Sequence, residues 1–93
     1  MEHYLIMKTH TDKNNNSKTR TKMIHEKRDA KIEYLALIDD LKARISFLYS
    51  VPYEEFEIED FGSVIQKEDY YSFNDWYTNK KFEIKLYKIE GEI

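Results

Sequence analysis

The tightest constraint on this chain is a stripe of apolar residues that closes on its only proline. Tyr34, Ile38, Leu41, Ile45 and Leu48 recur at intervals of four, three, four and three. An α-helix, at 3.6 residues per turn, brings that spacing to one face. Leu35, Leu37 and Phe47 widen the stripe, and Asp39, Asp40, Lys42 and Arg44 cover other directions. Asp40 and Arg44 stand at the i,i+4 spacing that suits an ion pair. Pro52 disfavours helical geometry at Val51, so the helix should stop near Ser50. A start near Thr21 makes it roughly 45 Å long at about 1.5 Å per residue. That is longer than a domain of 93 residues can cover, so the polar first half, Lys22 to Lys31, is expected to project.

The rest of the chain reads as strands and turns. Tyr4 to Met7 carry β propensity within a short strand over 3–10. Residues 11–19 are wholly polar and rich in Asn, which points to a flexible loop. Residues 53–67 have two readings. Phe56 and Ile58 alternate with glutamates, which favours a hairpin whose second strand starts at Val64-Ile65. The competing helix would have Pro52 just inside its start and Gly62 just past its end. Ser72 followed by Asp75 resembles a capping box, with Tyr71 and Trp76 as a hydrophobic staple, and predicts a short helix over 73–79. Phe82, Ile84 and Leu86 alternate with Glu83 and Lys85, the best strand signal in the sequence. The expected fold is α+β: one long amphipathic helix on a small antiparallel sheet, with a second short helix. Residues 1–20 form an N-terminal strand or arm plus the Asn-rich loop, and 21–93 a single α+β domain.

Several kinds of chemistry lack support. With no cysteine, disulfides, thiolate metal sites and cysteine nucleophiles are excluded. His25-Glu26-Lys27-Arg28-Asp29 begins like the zinc-protease helix motif but lacks its second imidazole. His3 and His10 lie across the loop and cannot be assumed to complete it. Asp39-Asp40 and Glu54-Glu55 are neighbours whose side chains diverge, whereas acid–base catalysis needs carboxylates converging across a cleft. No serine lies in a nucleophile motif, and Gly62 and Gly91 make no phosphate loop. The expectation is a protein that is not an enzyme and uses no metal or cofactor. The apolar run Tyr4-Leu5-Ile6-Met7 is too short for a signal peptide, and nothing approaches a membrane span, so a cytoplasmic protein is expected.

Charge is distributed unevenly within a net of −3. Residues 1–51 hold ten Lys/Arg against seven Asp/Glu, and residues 52–93 hold five against eleven. The acidic half interleaves rings with carboxylates: Tyr53, Glu54, Glu57, Glu59, Asp60, Glu68, Asp69, Tyr70, Tyr71, Asp75, Trp76 and Tyr77. Stiff amphipathic rings dominate interface energies, and surrounding carboxylates steer toward an electropositive partner. About half of the rings are expected to be core. The favoured reading is a protein-binding surface for a positively charged protein, such as a nucleic-acid-binding effector. The alternative is direct nucleic-acid binding by Lys18, Arg20, Lys22, Lys27, Arg28 and Lys31 on the helix start. A homodimer through the long helix is also open.

In overall character the chain resembles the small accessory proteins of phages and mobile elements, anti-CRISPR proteins among them. The resemblance lies in the Asn14-Asn15-Asn16 run, the abundance of Lys, Ile, Asn and Tyr, only two glycines and one proline, and the stretch Glu68-Asp69-Tyr70-Tyr71. It includes no motif and assigns no residue a role. It implies a viral, stoichiometric inhibitor acting in the host cytoplasm on a host-defence nuclease.

Overall fold

The computed structural model describes residues 2–90. Their order is β1 (Glu2–Thr11), β2 (Ser17–Ile24), α1 (Lys27–Leu48), two 3-10 turns (Tyr53–Glu55 and Ile58–Asp60), β3 (Gly62–Gln66), β4 (Tyr70–Asp75) and β5 (Lys81–Glu90). The strands form one antiparallel sheet in the order β2-β1-β5-β4-β3. The α+β class with a helix packed on an antiparallel sheet is therefore present. The second short helix is not: residues 73–79 continue β4 into a turn, and the only other helical segments among the described residues are the two 3-10 turns.

Helix α1 lies across one face of the sheet. Its buried side chains Tyr34, Ile38, Leu41 and Ile45 meet Ile6 of β1, Tyr71 and Phe73 of β4, and Ile84 of β5 in one apolar cluster. The register explains why these strand residues share a face. Ile84 stands opposite Tyr71 on one side and Lys8 on the other, and Ile6 stands opposite Leu86. Directly opposed residues of antiparallel strands point the same way. Leu48, Leu35 and Phe47 depart from the expected stripe and are exposed, Phe47 at 86 %. At 22 residues the helix is about 33 Å long, and no basic end projects from it.

The largest departure is β2. The segment Ser17–Ile24 pairs with β1 along its whole length rather than starting the helix. Its Thr19, Thr21 and Met23 alternate with Lys18, Arg20 and Lys22, a period of two. The threonines have β propensity, and Thr9 bonds Thr19 across the strands at 3.1 Å as Thr11 bonds Ser17 at 2.9 Å. The Asn-rich run is a tight hairpin turn rather than a flexible loop. Asp12 accepts from the backbone N–H of Asn14 and Asn16, bonds that hold its carboxyl below the usual range. Asn15 takes the left-handed conformation at φ 64°, which asparagine tolerates.

Both ends of α1 follow local chemistry. Asp29 in the first turn complements the positive end of the helix dipole. The C-terminus closes through Tyr49 N–H to Ile45 and Val51 N–H to Ser46, with Ser50 left-handed at φ 56° where glycine is usual. Pro52 then prevents continuation. Gly62 opens β3 because the chain leaves no room for more. A Cβ there would overlap the carbonyl oxygen of Asn74 and touch the Phe73 ring. Gly62→Ala is expected to destabilise by more than about 2 kcal/mol through backbone displacement, read as a lower urea midpoint.

Candidate functional site

The acidic segment after α1 is held by three apolar anchors. Ile58 is buried, and Phe56 and Phe61 are half-buried against the core. Between them the chain makes its two 3-10 turns, closed by Phe56 N–H to Tyr53 and Phe61 N–H to Ile58. Each turn sends carboxylates outward: Glu54, Glu55, Glu57, Glu59 and Asp60 are all exposed. None of the five makes an ion pair with a described residue. The expected hairpin strand at Phe56–Ile58 is absent: the period of two persists, with Phe56 and Ile58 inward and Glu55, Glu57 and Glu59 outward, but the chain turns on either side of it and pairs with no strand of the sheet.

The same end of the molecule carries the β4–β5 turn. Asp75, the last residue of β4, is buried and organises it. Its carboxylate accepts the Tyr49 hydroxyl at 2.6 Å, the Tyr77 N–H at 2.8 Å and the Thr78 N–H at 3.2 Å. Trp76 donates its backbone N–H to Phe61 and its indole N–H to Ser63 Oγ at 3.3 Å. Stacked rings connect the pieces: Tyr49 on Phe61 at 4.5 Å, Phe56 on Phe61 at 5.4 Å, and Tyr77 tilted against both Tyr49 and Phe61. The result is a rigid aromatic floor with Tyr53, Trp76 and Tyr77 reaching solvent, Trp76 at 58 % and Tyr77 at 69 %.

The structure therefore divides the residues singled out above. Tyr53, Glu54, Glu57, Glu59, Asp60, Trp76 and Tyr77 share this end. Tyr71 and Asp75 are interior, at 0 % and 3 % exposure, and leave the surface. Ser72 and Tyr71 form no cap or staple, since both lie in β4. Glu68 and Asp69 stand at the other end of β4, about 17 Å away at the rise of a strand. There Lys31 Nζ bonds Glu68 at 2.7 Å, and this lysine lowers the Glu68 pKa by hydrogen bonding and charge. Tyr70 points to the sheet face opposite α1 and donates to Glu83. The sequence reading missed Tyr49, Phe56 and Phe61 as the floor. Tyr49 lies just past the helical stripe, and nothing local signals its bond to Asp75.

The basic residues are divided too. Lys18, Arg20 and Lys22 project from β2 on the α1 side of the sheet, beside Lys8 and His10. Lys22 pairs with Glu33 at 3.7 Å. Lys27, Arg28 and Lys31 sit on the first turns of α1, where Lys31 is engaged by Glu68. Sheet pairing also joins two histidines far apart in sequence: His3 Nδ1 lies 2.8 Å from His25 Nδ1. His10 is remote, stacked on Phe82. No group of three His, Asp or Glu side chains is gathered for a metal among the described residues. No helix among them is long and apolar enough to cross a membrane.

Burial raises the Tyr49 hydroxyl to about 12, reinforced by the bond and charge of Asp75. Tyr34 and Tyr71 are raised to about 12, first by burial and then by Asp69 for Tyr34 and by Glu59 for Tyr71. An unfolded tyrosine ionises near 10. These three groups therefore contribute stability that is complete below about pH 10 and is lost as pH rises toward 12. Phenolate absorbance is expected to show Tyr34, Tyr49 and Tyr71 titrating late, together with unfolding. In Tyr49→Phe the alkaline transition should lose one late group, with stability at neutral pH reduced by about 1–2 kcal/mol.

Comparison with known protein families, curated proteins and solved structures finds no match to this chain.

Proposed function

We propose that this protein is a non-catalytic binding module. It engages a positively charged protein through the end of the sheet formed by residues 53–60 and the Trp76-Tyr77 turn. The observation that carries the reading is a set of five exposed carboxylates that pair with no described residue, beside the exposed rings of Tyr53, Trp76 and Tyr77 at the same end of the sheet. Desolvated rings supply affinity, often about 2 kcal/mol or more each at the centre of an interface. Unpaired carboxylates supply steering and reject acidic partners. Negative charges held outward on a short, stiff segment also match what a phosphate-binding surface accepts. The partner class that fits is a protein that handles nucleic acid, with this module acting as a stoichiometric competitor for its basic surface. The inhibitor character of the anti-CRISPR-like proteins it resembles is consistent with that role.

Trp76→Ala is expected to weaken partner binding about 30-fold, the equivalent of about 2 kcal/mol. The triple reversal Glu57→Lys, Glu59→Lys, Asp60→Lys should abolish it and remove most of its salt dependence. Affinity capture from host cells by the native chain and by each variant, with circular dichroism confirming the fold, measures this. A partner retained at full strength by both folded variants refutes the surface.

A second reading rests on β2, where Lys18 and Arg20 make no ion pair with a described residue and stand beside Lys8. It predicts low-salt DNA or RNA binding lost in Lys18→Glu/Arg20→Glu and unaffected by Trp76→Ala, so one gel-shift series separates the two.

A further inference from the structure

The β1–β2 and β4–β5 hairpins turn at the same end of the sheet, and their turns bound a cleft of about 860 Å³. That volume falls in the range of about 300–1,000 Å³ that small-ligand sites occupy. Because β1 and β5 are neighbours, the turns at 12–16 and 76–80 stand side by side beyond the last rungs of the sheet. Each turn is closed by its own bonds. Asn15 N–H donates to the Asp12 carbonyl in one, and Asn79 N–H to the Asp75 carbonyl in the other, both at 3.0 Å. Both walls are therefore held by bonds within the protein.

The lining is basic. Lys13, Lys18 and Lys80 reach it from three different segments, against a single carboxylate, Asp12. None of the three lysines makes an ion pair with a described residue. Asp12 is turned into its own hairpin, where its carboxylate accepts the N–H of Asn14 and Asn16. Lys80 is half-buried, and burial of an unpaired cation is unfavourable until an anion joins it.

His10 senses the same field. It stands opposite Lys18 across the strands, and its ring is stacked on Phe82 at 4.6 Å. Burial lowers its pKa, the Lys80 charge lowers it further, and Lys18 acts in the same direction while Asp12 opposes them. The charges of two lysines from opposite walls thus converge on one ring at the cleft. Ser17, Thr78 and Asn79 add neutral hydrogen-bonding groups to the lining.

Three cations on separate segments suit a ligand that is negative at more than one point. Lysine binds phosphate as a point charge, and linked phosphates place several anionic oxygens in a molecule small enough for the cleft. A lone carboxylate offers charge at one point only. We propose that the cleft between the two turns binds a small ligand carrying linked phosphate groups, held by Lys13, Lys18 and Lys80. This site is independent of the protein-binding surface at residues 53–60 and 76–77, with which it shares Tyr77 as a wall. It also differs from the nucleic-acid reading of β2, because Arg20 lies outside the cleft.

Proton NMR of the native chain titrated with pyrophosphate or ADP should shift the His10 ring signals. His3 and His25, bonded to each other at the other end of β1, are about 23 Å away at the rise of a strand and should not move. Adenosine, which has no phosphate, should shift none of the three. Lys13→Gln and Lys80→Gln should each weaken pyrophosphate binding about tenfold with circular dichroism unchanged, and Arg20→Gln should leave it unaltered. Lys13 is exposed at its turn, so its variant tests the site without disturbing the core. A His10 signal unmoved by millimolar pyrophosphate overturns the proposal, as does full-strength binding by the folded double variant Lys13→Gln/Lys80→Gln. A loss in Arg20→Gln as large as that in Lys13→Gln also overturns it, and assigns the phosphates to the β2 surface instead.

Discussion

Everything in this molecule hangs on one layer of contact, the stripe Tyr34-Ile38-Leu41-Ile45 against Ile6, Tyr71, Phe73 and Ile84. Each fully buried side chain of this size contributes about 1.5–3 kcal/mol. In a domain this short few other apolar contacts are available. The sheet has one covered face, so α1 must lie along it, and both ends of α1 are then carried to the two ends of the sheet. The aromatic floor at one end and the Lys31–Glu68 contact at the other exist because that helix is seated.

Strand order converts a charge imbalance along the chain into one across the molecule. The sheet runs β2-β1-β5-β4-β3. The basic strand β2 is one edge, and β3, with the acidic turns leading into it, is the other. An edge strand exposes unpaired backbone and invites pairing with another chain. Lys18, Arg20 and Lys22 on β2 discourage self-pairing there, since antiparallel pairing centred on Arg20 would bring like charges opposite one another.

Asp75 shows how an interior polar group can shape an exposed surface. It touches nothing outside the protein, but its bonds to Tyr49, Tyr77 and Thr78 hold the turn that presents Trp76 and Tyr77. A buried carboxylate without such partners would be strongly unfavourable. With them, the turn is held in a fixed geometry.

The local sequence by itself determined the stripe of α1, its end before Pro52, the alternation of β5 and the crowding of carboxylates with rings between 53 and 77. Each is a short-range pattern of period or composition, legible wherever one helix face or one strand face meets a core. Tertiary structure decided the rest. Thr19, Thr21 and Met23 became a strand because β1 was there to pair with them, and pairing partners are not written in local order. Tyr71 and Asp75 went inside, while Tyr53, Trp76 and Tyr77 stayed out, because β4 occupies an interior position in the sheet and its α1-facing residues are covered. Leu35, Phe47 and Leu48 were left exposed because one sheet face covers only one side of a helix. A ring beside a carboxylate reads the same in sequence whether it is core or surface, and only the layer packed against it makes the distinction.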